Sequence, residues 1–183
     1  MPGAYRALAA VRSTAAMPSS SRFLNAIAAS VSGMTIVSTA VGGRQVGRTV
    51  SSMFAVSAEP PLLAVSIPTA SPLPAALADR GAFAVDVLAD HQVALAEAFA
   101  GRGERPHEFL ARDWWPCAGG LPRLHGAAAR FECQVERTLE AGTHTLVLGA
   151  VTRAVRGTAT PLAYSRRGYV APLAAERLHL RAA

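Results

Sequence analysis

Residues 47–61 read GRTVSSMFAVSAEPP, and how this stretch is parsed decides the architecture. It has the composition of a strand, yet three hydroxyls (Thr49, Ser51, Ser52) crowd its first half while Met53 to Val56 are apolar. Strict alternation sends Thr49, Ser51 and Met53 to one face and Val50, Ser52 and Phe54 to the other. Adjacent serines then point to opposite sides of a sheet unless a bulge intervenes. A strand carrying hydroxyls on both faces suggests something polar lying against it.

Working outward, residues 19–31 (SSSRFLNAIAASV) form an amphipathic helix, with serines for a cap and Phe23, Leu24, Ile27 and Val31 as its apolar stripe. Strands follow at 34–40, 45–56 and 62–67, separated by the Gly42-Gly43 turn and the Glu59-Pro60-Pro61 turn. Ser71-Pro72 opens a helix through Leu77 that stops at Gly81, and 83–88 is a buried strand. Asp90 caps a second short helix, DHQVALAEAFAG, with Leu95, Ala96 and Phe99 facing inward. Residues 102–124 are irregular and carry Trp114 and Trp115. Long strands at 127–139 and 143–155 meet at Ala141-Gly142, and a last strand at 162–170 precedes a short C-terminal helix. Many short strands with few helices predict one mainly β domain over 19–183, a β-barrel with short peripheral helices, behind a flexible leader over 1–18.

The bulk numbers narrow the chemistry. A chain of 183 residues, 51% apolar and 16% charged, is globular and long enough for a substantial core. No apolar run approaches the ~20 residues of a membrane span, so no membrane association is expected. The formal charge is +6, but all 18 basic residues are arginine and, apart from Arg166-Arg167, they are scattered. Scattered arginines make no nucleic-acid patch, and the lack of lysine excludes Schiff-base chemistry and a Walker loop. Cys117 and Cys133 form no CxxC pair and read as reduced thiols of a cytoplasmic protein. The five histidines show no HxH or HExxH spacing, so no metal is expected, and there is no GxSxG elbow. What remains is hydroxyl-rich and lacks an evident acid–base pair, which suits an enzyme whose cofactor carries the chemistry.

Four segments in sequence resemble the flavin reductase family, whose fold is an FMN-binding split barrel. They are GMTIVSTAVGGRQVGRTVSSMFAVSAEPPLLAVSIPTASPLPAAL, GAFAVDVLADHQVALAEAFAGR, LHGAAARFECQVERTLEAGTHTLVLGAV and PLAYSRRGYVAP, together spanning roughly residues 23–172. The resemblance implies an NAD(P)H-dependent flavin reductase that passes hydride from NADH, with NADPH as the alternative, to FAD or FMN. It also implies a homodimer and a separate flavin-dependent monooxygenase supplied with reduced flavin. By the same resemblance Thr49, Val50, Ser51 and Ser52 lie along the flavin, and residues 66–71, with Ser66 and above all Ser71, cradle its phosphate; without lysine, its partners are hydroxyls, backbone N–H groups at the Ser71 helix start, or an arginine. His144, in AGTHTLVLGAV, is the residue expected near the nicotinamide and flavin rings. Members usually carry Gly-Asp-His there and a Glu further on; this chain has Thr143 and Ala150 instead. Arg167 (or Arg166) and Tyr169 match a segment near the active site, possible from across the dimer. Phe99 edges the flavin or sits in the core, and the tryptophans pack in core or interface or cover a flat ring. Asp86 stands where members often have Asn, and a buried carboxylate there needs a loop N–H or an arginine. The altered Thr143 and Ala150 leave two other readings open: a split-barrel carrier or sensor of flavin or haem, and a flavin oxidase of a small substrate.

Overall fold

The computed structural model describes residues 18–102, 108–115 and 120–172. A seven-stranded antiparallel sheet runs in the order β3-β2-β6-β9-β10-β5-β4. Its strands are β2 (Thr35–Val41), β3 (Arg44–Val50), β4 (Met53–Ala58), β5 (Pro61–Pro68), β6 (Ala82–Val87), β9 (Ala129–Ala141) and β10 (His144–Arg156). A smaller sheet joins β1 (Ser32–Gly33) to β11 (Ala163–Ser165) and β12 (Gly168–Val170), and β7 (Trp114–Trp115) pairs with β8 (Arg123–Leu124). The helices are α1 (Ser20–Ile27), α2 (Leu73–Arg80) and α3 (Val93–Phe99). The edge strands β3 and β4 are consecutive in the chain, so the sheet curls until its two edges meet at Ser51-Ser52, which makes the split barrel.

The opening stretch is therefore two strands, not the single strand expected over 45–56. The chain leaves β3 at Val50 and enters β4 at Met53, with Ser51 and Ser52 irregular and exposed between them. Ser52 ties the corner to β5: its hydroxyl donates to the Ser66 carbonyl (2.9 Å), and its own carbonyl accepts from the Ser66 N–H (3.2 Å). Broken alternation puts both serines on the same side, which resolves the conflict in the sequence pattern.

The core has two halves because β2 is covered on both faces. Val37 faces the barrel interior, where Leu73 and Leu77 of α2 pack among Val65, Phe83 and Val147. Its neighbour Ile36 faces outward, against Leu95 and Phe99 of α3 and Trp114. The inner packing needs a glycine: a Cβ on Gly149 would stand 2.5 Å from the Phe83 ring. Asp86, wholly buried on β6, lies opposite Arg130 of β9 and accepts from its guanidinium at 2.8 and 3.0 Å. Arg130 also donates to the Pro122 carbonyl and to Glu132. An arginine partner is one of the two expected for this carboxylate.

Three further expectations change. The last strand is a hairpin, β11 and β12, turning on Arg166 and Arg167, both with positive φ (49° and 63°). Asp90 does not cap α3, which starts at Val93 after Gln92; the Gln92 side chain instead accepts from the Ala89 N–H and donates to the His125 carbonyl. Pro72, rather than Ser71, occupies the N-cap of α2, and Gly81 closes that helix in the left-handed region. The leader up to residue 17, Cys117 and the C-terminal helix lie outside the described residues.

Candidate functional site

Two adjoining depressions run along β3. The first, about 360 Å³, is lined by Thr49, Val50, Ser51, Ser52, Ser66 and His144, with Arg48, Pro68, Ala100 and Arg102 completing its wall. The second, about 330 Å³, is lined by Gly47, Ser71, Pro72, Phe99 and Gly101, with Arg44 and Arg48 at its side. Arg48 borders both, so they form one cleft with two lobes. Eight of the ten site residues expected from the sequence line it. They come from β3, the Ser51-Ser52 corner, β5, the start of α2, the end of α3 and the start of β10.

The hydroxyls are less free than the sequence suggested. Thr49 donates to the Ala96 carbonyl of α3 (2.8 Å), fastening that helix to β3. Ser71 accepts from the Leu73 N–H (3.2 Å), the local bond of a helix entry. Ser51 makes no hydrogen bond through its side chain among the described residues. Phe99 is a core residue with one edge on the cleft: it packs edge-on to Phe109 and beside Trp114. Gly47 allows that approach, since a Cβ there would fall 3.1 Å from the Phe99 ring and 2.9 Å from Phe109.

His144 opens β10, opposite Pro68 of β5, and is half-buried. Its Nδ1 lies 3.0 Å from the Thr143 hydroxyl. The threonine thus takes the place from which a carboxylate could orient the ring, by a hydrogen bond without a charge. Ala150 stands six residues further along β10, about 20 Å away at strand rise, and borders a different depression with Leu62 and Glu136. Ala150 lines neither lobe of the cleft.

Arg167 and Tyr169 do not line the cleft. Arg167 donates to Asn25 of α1 (2.7 Å), and Tyr169 donates to Glu97 of α3 (2.6 Å). Burial, reinforced by Glu97, pushes the Tyr169 phenol up to about 12, so it remains a donor. Trp114 is buried, whereas Trp115 is half-exposed and stacks on His125 at 4.4 Å; neither borders the cleft. An arginine is among the partners expected for a phosphate, but no motif marks Arg48 or Arg102, whose spacing carries no signal until the sheet curls. A larger depression, about 680 Å³ beside Val87 and Gly157, has Arg156 as the only ionisable residue among its described lining and brings no imidazole or serine together.

The cleft suits an anionic, polar-edged ligand. Among the described residues no carboxylate lines either lobe, while three guanidiniums do. No group of three or more metal-ligating side chains occurs among the described residues, and none of their helices is long and apolar enough to cross a membrane.

Comparison with known proteins accounts for this arrangement. The family model described as "Flavin reductase like domain" matches residues 27–172. A probable flavin reductase of Rhizobium meliloti is 34% identical over 151 residues, covering 81% of this chain but 47% of that relative, so the chain spans about half its length. The reductase component of 4-hydroxyphenylacetate 3-monooxygenase from Thermus thermophilus is 34% identical over 148 residues, covering 80% of this chain and 93% of the relative. Among solved structures, the flavin reductase PheA2 in its native state superposes with a TM-score of 0.78 at 29% identity, over 86% of this chain and 100% of that one. The fold is the split barrel of this class. The chain belongs to the flavin reductase family.

Proposed function

We propose that this protein is an NAD(P)H:flavin oxidoreductase that takes hydride from NADH and supplies reduced FAD or FMN to a partner monooxygenase. The observation that carries the reading is the convergence of Ser51, Ser52, Ser66 and His144 with Arg48 and Arg102 on one cleft. The Thermus relative, a reductase component of a monooxygenase, supports the partner's class.

When bound, a flavin supplies the two-electron chemistry, accepting hydride from the nicotinamide. The protein's share is orientation and charge. Polar groups of residues 49–52 would bind the flavin's edge and ribityl chain, where negative charge develops on reduction. His144, held by Thr143, would seat the nicotinamide at the open side of the same lobe. Catalysis by positioning needs no general base, consistent with a cleft whose described residues include no carboxylate.

The test is NADH and NADPH oxidation by the purified protein with no flavin, riboflavin, FMN or FAD added. Turnover that requires added flavin and prefers one nicotinamide supports the reductase. Flavin retained through dialysis without NADH oxidation would mean a carrier.

A further inference from the structure

The chain has no lysine, so any phosphate in the cleft must be met by hydroxyls, backbone N–H groups or arginine. Two of the hydroxyl donors are committed: Thr49 donates to Ala96 and Ser52 to Ser66. Ser71, the expected phosphate residue, accepts from the Leu73 N–H and keeps its own O–H to donate, as do Ser51 and Ser66. Neutral hydroxyls supply donors but not the positive charge that a phosphate dianion pairs with most strongly.

Arg48 is placed to do so. It sits on β3 between Val46 and Val50 in the alternation, both of which pack against the barrel core, and it lines both depressions. Its side chain is half-buried and has no hydrogen-bond or carboxylate partner among the described residues. Other arginines in comparable settings are paired: Arg130 with Asp86 and Glu132, Arg167 with Asn25. A partly desolvated guanidinium without a counter-charge is costly, and its planar fork matches phosphate oxygens. Arg48 is also the residue common to the serine–histidine lobe and the Ser71–Phe99 lobe. Arg44 is exposed at the strand's far end, and the Arg102 charge acts on the Tyr169–Glu97 pair, so neither is as free.

We infer that Arg48 is the phosphate anchor of the flavin nucleotide, binding the phosphate where the two lobes meet and setting the preference for phosphorylated flavins over riboflavin. The inference rests on the reductase reading for its ligand, and its test reads binding, not turnover. Riboflavin, FMN and FAD are titrated into the full chain and into Arg48→Gln and Arg48→Lys, following flavin fluorescence. Loss of a charge-assisted, two-pronged contact should weaken FMN and FAD about 10- to 100-fold in Arg48→Gln while riboflavin changes by less than about two-fold, with Arg48→Lys recovering part of the loss. Retained riboflavin binding also shows that the variant is folded.

Equal weakening of riboflavin and FMN, or no weakening of either, overturns the assignment. So does a wild type that binds FMN no more tightly than riboflavin. A raised KM for NADH with unchanged FMN affinity would transfer Arg48 to the nicotinamide nucleotide and also overturn it. Arg48-dependent FMN binding without NADH oxidation would leave the anchor standing and remove the reductase reading instead.

Discussion

At the residue scale, a hydroxyl beside His144 does part of what a carboxylate would do. Thr143 can hold the ring's orientation through Nδ1, but it places no negative charge next to it. Thr143→Val removes the contact while keeping the β-branched shape. KM for NADH is expected to rise about two- to ten-fold, the range for one neutral hydrogen bond, with FMN affinity unchanged. Steady-state kinetics at fixed FMN checks this; an unchanged KM would show that Thr143 does not set the ring. Cys133 illustrates the opposite case, a polarisable group with no role in the cleft. Burial pushes its thiol up to about 12, so it is protonated and inert at neutral pH. In a Cys117→Ser background, a thiol reagent at pH 8 should leave the native protein unlabelled and label one cysteine after unfolding. Rapid native labelling would contradict the buried position.

At the scale of elements, pairing between strands carries both a packing constraint and a titration. On β10, Gly149 faces Phe83 of β6 so closely that a methyl group must displace the ring. Gly149→Ala is expected to destabilise the fold by about 1–3 kcal/mol, the usual cost of overpacking, read as a lowered denaturation midpoint. The β6–β9 pair holds Asp86 against Arg130. Burial raises the Asp86 carboxyl to about 6 from 3.8, against the pull of Arg130. The folded state therefore binds the proton more tightly than the unfolded chain. By linkage, this carboxyl's contribution to stability is greatest below pH 4, declines as pH rises to about 6, and is level above. Measured by urea unfolding, wild-type stability relative to Asp86→Asn should fall across that window. A rise instead would mean that the Arg130 pair outweighs burial.

At the scale of the whole molecule, α1 carries an apolar stripe that the described residues leave uncovered. Its apolar stripe is exposed, with Phe23 56% and Ile27 52% accessible, and no residue of the helix is buried. The helix is nonetheless held in place: the Arg166 N–H donates to the Ala28 carbonyl (2.6 Å), and Arg167 bonds Asn25. An apolar face fixed outward fits a second copy of the chain, the homodimer implied by the family resemblance. Sedimentation should give a dimer, and the pair Phe23→Ser with Ile27→Ser should shift it towards monomer. A wild-type monomer at micromolar concentration would remove this assignment.

The periodicity of the chain already contained most of the strands, the β9–β10 hairpin and the inward face of α3, because these depend on neighbours two to four residues apart. The family resemblance, not periodicity, singled out eight of the residues that line the cleft. Residues 47–61 mark the limit of that reading. Local pattern cannot show that the strand breaks at Ser51-Ser52, because the break is held by β5, which arrives later and bonds Ser52 at both its hydroxyl and its carbonyl. Nor can it show that Thr49 donates to α3 while Ser71 accepts from α2, that Asp86 meets Arg130, or that Arg48 faces the cleft with no partner among the described residues. Those outcomes depend on which groups the curled sheet brings within about 3 Å, a distance that sequence separation does not encode.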